Sequence, residues 1–223
     1  RIPGTSTQHG IVAPFSMARL GNSFAYLTKN NRGTAMVVQM NGYIPQRIST
    51  HAVENSLTNQ TISDAIAWTY QLEGHEVYVI SFPTIQLTWC YDVATGMWHK
   101  WLYTNNLGQY ERCRGNCAAV FQGLVLVGDY SNGKIYKMDR NVYTDDGQNV
   151  KRVRRAPHLT VDLQRQYFDE LQIQFQPGVG LSGITVPLND EVVGADPQAM
   201  LRWSNDGGST WSNEHWTSIG SNL

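Results

Sequence analysis

Charge is scarce in this chain. Asp, Glu, Lys and Arg account for 16% of its 223 residues, where globular proteins average about a quarter. The 17 basic and 18 acidic residues leave a formal charge of -1, too balanced for a protein held to nucleic acid by bulk electrostatics. Cysteine is scarce too. Three cysteines cannot complete a disulfide framework, and Cys113 and Cys117 lack a second pair at zinc-ligand spacing. The pair reads as small buried side chains, and no metal or cofactor is expected. There is no run of about 18 apolar residues and no signal peptide, so neither a membrane span nor secretion is indicated. Helical periodicity is thin. In Leu57–Tyr70, the one candidate, Thr58, Thr61, Ile62, Ile66 and Thr69 are β-branched and disfavour a helix. The chain opens at Arg1 without a methionine and reads as a piece of something longer.

What is present points to strands. Hydrophobic residues reach 41%, enough for a sizeable core, and 7 Trp, 11 Tyr and 20 Gly suit β-structure with tight turns. Three short apolar runs, Phe24–Leu27, Val77–Ile80 and Leu124–Val127, read as buried strands. Each follows a glycine (Gly21, Gly74, Gly123), and a spacing of about fifty residues signals a propeller or another array. A second turn follows each run, at Asn31–Gly33, Ala94–Gly96 and Ser131–Gly133. Further strands then begin at Ala35, Met97 and Lys134. A unit of this length holds four strands, the size of a propeller blade. The two glycines are 12, 22 and 10 residues apart in the three units, which predicts loops of different length. Further on, Leu171–Gln176 alternates apolar with polar and predicts a half-buried strand, and 178–198 reads as a long loop. The expected fold is all-β, a propeller-like array of antiparallel blades. Residues 1–155 would hold about three blades, and 156–223 a further β unit in the same or an adjoining domain.

Near the end, Ser204-Asn-Asp206-Gly207-Gly208-Ser-Thr210-Trp211 fits S-x-D-x-G-x-T-W at every defined position. It resembles the Asp-box, a hairpin turn on the blades of sialidase-like propellers. Asp206 can accept bonds from turn amides, the glycines relieve the bend, and Trp211 is expected to fold back onto the core. The motif is structural, so a sialidase-like glycan-binding or glycan-cleaving propeller is only the alternative reading. Arg1-Ile2-Pro3 imitates the arginine motif of those enzymes, but a single Asp-box and no Tyr–Glu context give no catalytic set. His75 reads as a strand-edge residue and His99 as a packed one; no enzyme is expected. The cluster Lys151, Arg152, Arg154 and Arg155 lies on a predicted strand, with Asp145 and Asp146 able to pair with it across a hairpin. It is a solvated edge, or else a contact to DNA or to another subunit.

Several longer stretches resemble one family. They are Pro3-Gly-Thr-Ser-Thr-Gln8, Gly42-Tyr-Ile-Pro-Gln-Arg-Ile-Ser-Thr-His51 and Tyr91-Asp-Val-Ala-Thr-Gly-Met-Trp-His99, then the segment from Ala118 to Asp129, that from Asp196 to Ser204, and Asn213-Glu-His-Trp216. Together they are similar to the packaged-DNA stabilisation proteins of short-tailed phages and prophages, also called tail accessory factors or nozzle proteins. The resemblance implies a structural virion protein of the tail, made in the bacterial cytoplasm. It implies an oligomeric ring, a hexamer, below the portal and its adaptor, extending the channel and retaining packaged DNA. It implies attachment sites for tail spike, fibre or needle proteins. DNA would pass through without sequence-specific binding, and no membrane, catalytic residue or cofactor is implied. Members of that family continue upstream of the first motif and beyond the region of Ile219.

Overall fold

The computed structural model describes residues 9–157, 159, 164, 166–174, 184–186, 191–193 and 198–219. The chain divides into two units, Arg1–Val150 and Lys151–Leu223. In the first unit, a 3-10 turn at Pro14–Ser16 leads into a four-stranded antiparallel sheet of β1 (Ala18–Leu20), β2 (Ser23–Lys29), β3 (Ala35–Asn41) and β4 (Ile44–Arg47). A short helix α1 (His51–Ser56) then crosses to a second such sheet, of β5 (Ile66–Leu72), β6 (His75–Phe82), β7 (Leu87–Asp92) and β8 (Met97–Lys100). The hairpin β9 (Leu102–Thr104) and β10 (Tyr110–Arg112) comes next. A three-stranded sheet of β11 (Gly115–Phe121), β12 (Leu124–Asp129) and β13 (Ile135–Lys137) follows, then the small hairpin β14 (Thr144–Asp145) and β15 (Gln148–Asn149). Among the described residues, no helix is long and apolar enough to cross a membrane.

The sheets stack through their first strands, with β5 lying between β1 and β11. The sequence of β6 shows why. Its alternate residues Tyr78, Ile80 and Phe82 are buried in one core with Leu20, Leu27 and Val37 of the first sheet. The intervening Val77 and Val79 are buried in another with Val125 and Val127 of the third. A strand covered on both faces needs an unbroken apolar run, and β6 has one. Each of these side chains contributes about 1.5–3 kcal/mol on burial. Polar ties fix the stacking. Tyr78 donates its hydroxyl to the Ser16 carbonyl at 2.6 Å, and the Trp98 indole N–H donates to the Ile48 carbonyl at 2.8 Å. Where β5 meets β11 there is no room for a side chain. A Cβ on Gly115 would lie 2.6 Å from Val127 Cγ1 and 2.9 Å from the Trp68 ring.

Two expectations change here. The helix falls at His51–Ser56, before the weighed segment, whose end becomes β5. The 22-residue gap between Gly74 and Gly96 is not a longer loop. Gly21, Gly74 and Gly123 all sit at the turn between a sheet's first two strands, but Gly96 serves the turn between third and fourth. The turn that answers to Gly33 and Gly133 is Pro83–Gln86, which has no glycine; Gln86 takes the left-handed conformation instead (φ 51°). At the β5–β6 turn Glu73 and Gly74 both have positive φ, 49° and 84°, the type I′ geometry that matches strand twist.

In the second unit, β16 (Ile184–Val186) pairs with β17 (Glu191–Val193) inside the stretch expected to be loop. The strand β18 (Gln198–Leu201) pairs with β19 (His215–Ser218). Residues 171–174 are exposed and form no strand, so alternation alone did not supply a pairing partner; 175 and 176 lie outside the described residues.

Candidate functional site

The first unit's polar residues concentrate at its turns. Asn30 Oδ1 accepts the N–H groups of Arg32 and Thr34, each at 2.9 Å. Asn105 does the same for Leu107 and Gln109, at 3.0 and 2.9 Å. Asp92 accepts from Ala94 N–H at 3.0 Å and the Thr95 hydroxyl at 2.9 Å, and Asp129 accepts from Ser131 N–H at 2.6 Å. Each acceptor stands three or four residues before a turn glycine, a signal visible in the sequence.

Asp129 also anchors a charge network that sequence reasoning missed. Its side chain has no exposed surface and accepts from Arg114 Nε at 2.7 Å and from the Tyr136 hydroxyl at 2.9 Å. Burial opposes its ionisation, but the Ser131 amide, the Arg114 guanidinium and the Tyr136 hydroxyl outweigh that and hold the carboxyl below the usual range. Asp146 extends the network, 2.7 Å from Lys134 Nζ and 3.4 Å from Arg114. Asp146 thus pairs with Lys134 and Arg114, while Asp145 lies in β14 with its carboxyl pushed up by burial.

In the second unit, the residues from Ser204 to Trp211 form one compact turn. Asp206 accepts the Thr210 hydroxyl at 2.6 Å and the Thr210 N–H at 2.9 Å; the Ser204 hydroxyl donates to it at 2.8 Å. The Thr210 bonds and then the Ser204 bond hold its carboxyl well below the usual range. An aspartate engaged in this way is a turn acceptor, not a poised acid. Gly207 and Gly208 both take positive φ, 72° and 95°. Trp211 departs from expectation. It is 40% exposed, its indole N–H donates to the Gly208 carbonyl at 3.2 Å, and the Arg155 guanidinium lies over its ring at 4.8 Å. No second sheet reaches it among the described residues, so it closes the turn rather than entering a core.

Lys151, Arg152, Arg154 and Arg155 are all exposed and lie on no strand, where one was expected. Arg155 is the member that packs against Trp211. His75 begins β6, its Nδ1 at 2.8 Å from Asp92 Oδ2. His99 is exposed on the edge strand β8 rather than packed. Cys90 and Cys113 are buried, with burial pushing the Cys113 thiol up to about 12, but Cys117 is exposed. Arg1–Pro3 and Pro3–Gln8 lie outside the described residues.

Stacked antiparallel sheets joined first strand to first strand, with their polar groups spent on turns, define an all-β protein of the propeller class. The chain belongs to the phage stabilisation family: residues 1–143, which hold all three stacked sheets, match the family model described as bacteriophage P22 Gp10, beta-propeller. It is therefore a structural phage protein of the tail, one that stabilises packaged DNA. A comparison with curated proteins found no match.

Proposed function

We propose that the protein forms part of an oligomeric ring, a hexamer, that extends the portal channel, retains the packaged genome and offers attachment sites to spike, fibre or needle proteins. The observation that carries this reading is the family match across the stacked sheets. Stiffness supports it: interlocked sheets with buried Trp68, Trp89 and Tyr78 resist deformation, as a ring under capsid pressure must. The formal charge of -1 also suits a channel through which DNA slides without being held. The Ser204–Trp211 turn, read as an Asp-box, stiffens the last hairpin in this account. Lys151, Arg152, Arg154 and Arg155 contact DNA or a neighbouring subunit, and residues 156–223 form a further β unit of the same or an adjoining domain. Electron microscopy of the full-length protein tests the ring: closed rings of uniform subunit number are expected. Particles that stay single, alone and beside the portal–adaptor assembly, contradict it.

A further inference from the structure

Arg112, the last residue of β10, is a buried charge without a counter-charge. It is 5% exposed. The other buried charges of the first unit have partners: Glu54 lies 2.6 Å from Arg47, and Asp92 2.8 Å from His75. Its neighbour Arg114 faces Asp129 and Asp146. Among the described residues no carboxylate pairs with Arg112.

Three elements hold the side chain in place. The guanidinium carbon lies over the Tyr130 ring, 3.6 Å from its centre. Nη1 donates to Asn116 Oδ1 in β11 at 3.3 Å, and the backbone N–H donates to Gln86 Oε1 at 3.3 Å. The site therefore lies where the Pro83–Gln86 turn of the second sheet meets the residues that follow β12 in the third. Stacking covers one face of the guanidinium and leaves its edge, where the N–H donors point. Among the described residues Nε and Nη2 find no acceptor, yet neither is sealed from solvent. A charge desolvated to this degree is unfavourable until an opposite charge meets it, and the tyrosine ring offsets only part of that.

We propose that Arg112 is an oxyanion-binding site that takes a single carboxylate. The free edge of a guanidinium matches the two oxygens of a carboxylate. One unspent cation also suits one negative charge. Arg114 is engaged by Asp129 and Asp146, and Lys134 by Asp146, so no second free cation stands beside Arg112 for a phosphate carrying roughly 1.5–2 charges. A guanidinium so recessed is also out of reach of a duplex backbone. The carboxylate comes either from a small free acid or from an aspartate or glutamate side chain of a protein docking at these turns. The chemistry is the same, and it does not depend on the ring reading.

The test is the melting temperature of the full chain in sodium acetate against sodium chloride at equal ionic strength. Acetate is expected to raise it saturably, by roughly 2–4 °C at about five times its Kd. Arg112→Gln should abolish the rise and cost little in chloride, since no carboxylate of the chain loses a partner. Arg112→Lys keeps the charge without the fork and should weaken acetate binding about tenfold; it carries the test if the glutamine variant does not fold. Arg32→Gln, at an exposed turn arginine, should leave the response unchanged. N-acetylglutamate α-amide binding as acetate does assigns the site to a partner's side chain; acetate binding without it assigns a small free acid. A wild type that responds to acetate as to chloride, or a response undiminished in both Arg112 variants, overturns the site. Inorganic phosphate bound as tightly as acetate overturns the choice of carboxylate.

Discussion

Trp89 and Trp211 sit in the two units of one chain, and they behave differently. Trp89 is 8% exposed, lies in the core shared by the first two sheets, and its indole N–H donates to the Ser56 hydroxyl at 3.0 Å. Trp211 is 40% exposed and closes its own turn. Yet both units build turns in the same way, with an Asn or Asp oxygen collecting the amides that follow it. Turn chemistry is local and recurs wherever a bend is needed. Burial requires a second layer, and in the first unit β6 has one on each side.

That difference can be broken or sharpened by substitution. The largest effect is expected at Phe82, fully buried in the first core. Phe82→Ala should cost about 3–5 kcal/mol by denaturant unfolding, and a loss under 1 kcal/mol would mean the sheets do not share a core. Asp129→Asn removes the nearer of the two carboxylates that Arg114 faces and should cost about 1.5–3 kcal/mol. The sign with pH follows from the depressed carboxyls of Asp129, held down by Ser131, Arg114 and Tyr136 against burial, and of Asp146, held down by Lys134 first. Their stabilisation is present above the unfolded value of about 3.9 and is lost as pH falls through the lower folded values. Acid unfolding should therefore be steep below about pH 4, and Asp129→Asn should flatten it.

Gly115→Ala comes next. The added methyl meets Val127 and Trp68, and overpacking of this kind costs about 1–3 kcal/mol; an unchanged melting temperature would separate β11 from β5. The smallest effect belongs to Trp211→Ala, at most about 1 kcal/mol, since an exposed ring forfeits little on truncation. A loss near that of Phe82→Ala would place Trp211 in a core after all.

Much of the first unit was legible in the sequence for a physical reason. A strand buried on both faces must read as a continuous apolar run, and Val77–Ile80 did. Glycines with positive φ mark bends, and Gly21, Gly74 and Gly123 marked the same bend in successive sheets. The equivalence of Gly96 was misread because the Pro83–Gln86 turn reaches its left-handed residue with glutamine. The family-bearing stretches carried the functional reading. The turn role of Asp206 was visible in S-x-D-x-G-x-T-W, but the exposure of Trp211 was not, because no local pattern states whether a second layer lies opposite. Alternation at Leu171–Gln176 failed on the same point. Period two shows which face a strand could bury and cannot supply the strand beside it.

The central claim is a structural role in holding packaged DNA inside the particle. Its most direct measurement is DNA retention in particles assembled without this protein, read as nuclease-accessible DNA before and after the purified full-length protein is added. The account predicts particles that fill and then leak, and that hold their genome once the protein is restored. Particles that keep their DNA equally well without it would contradict the claim.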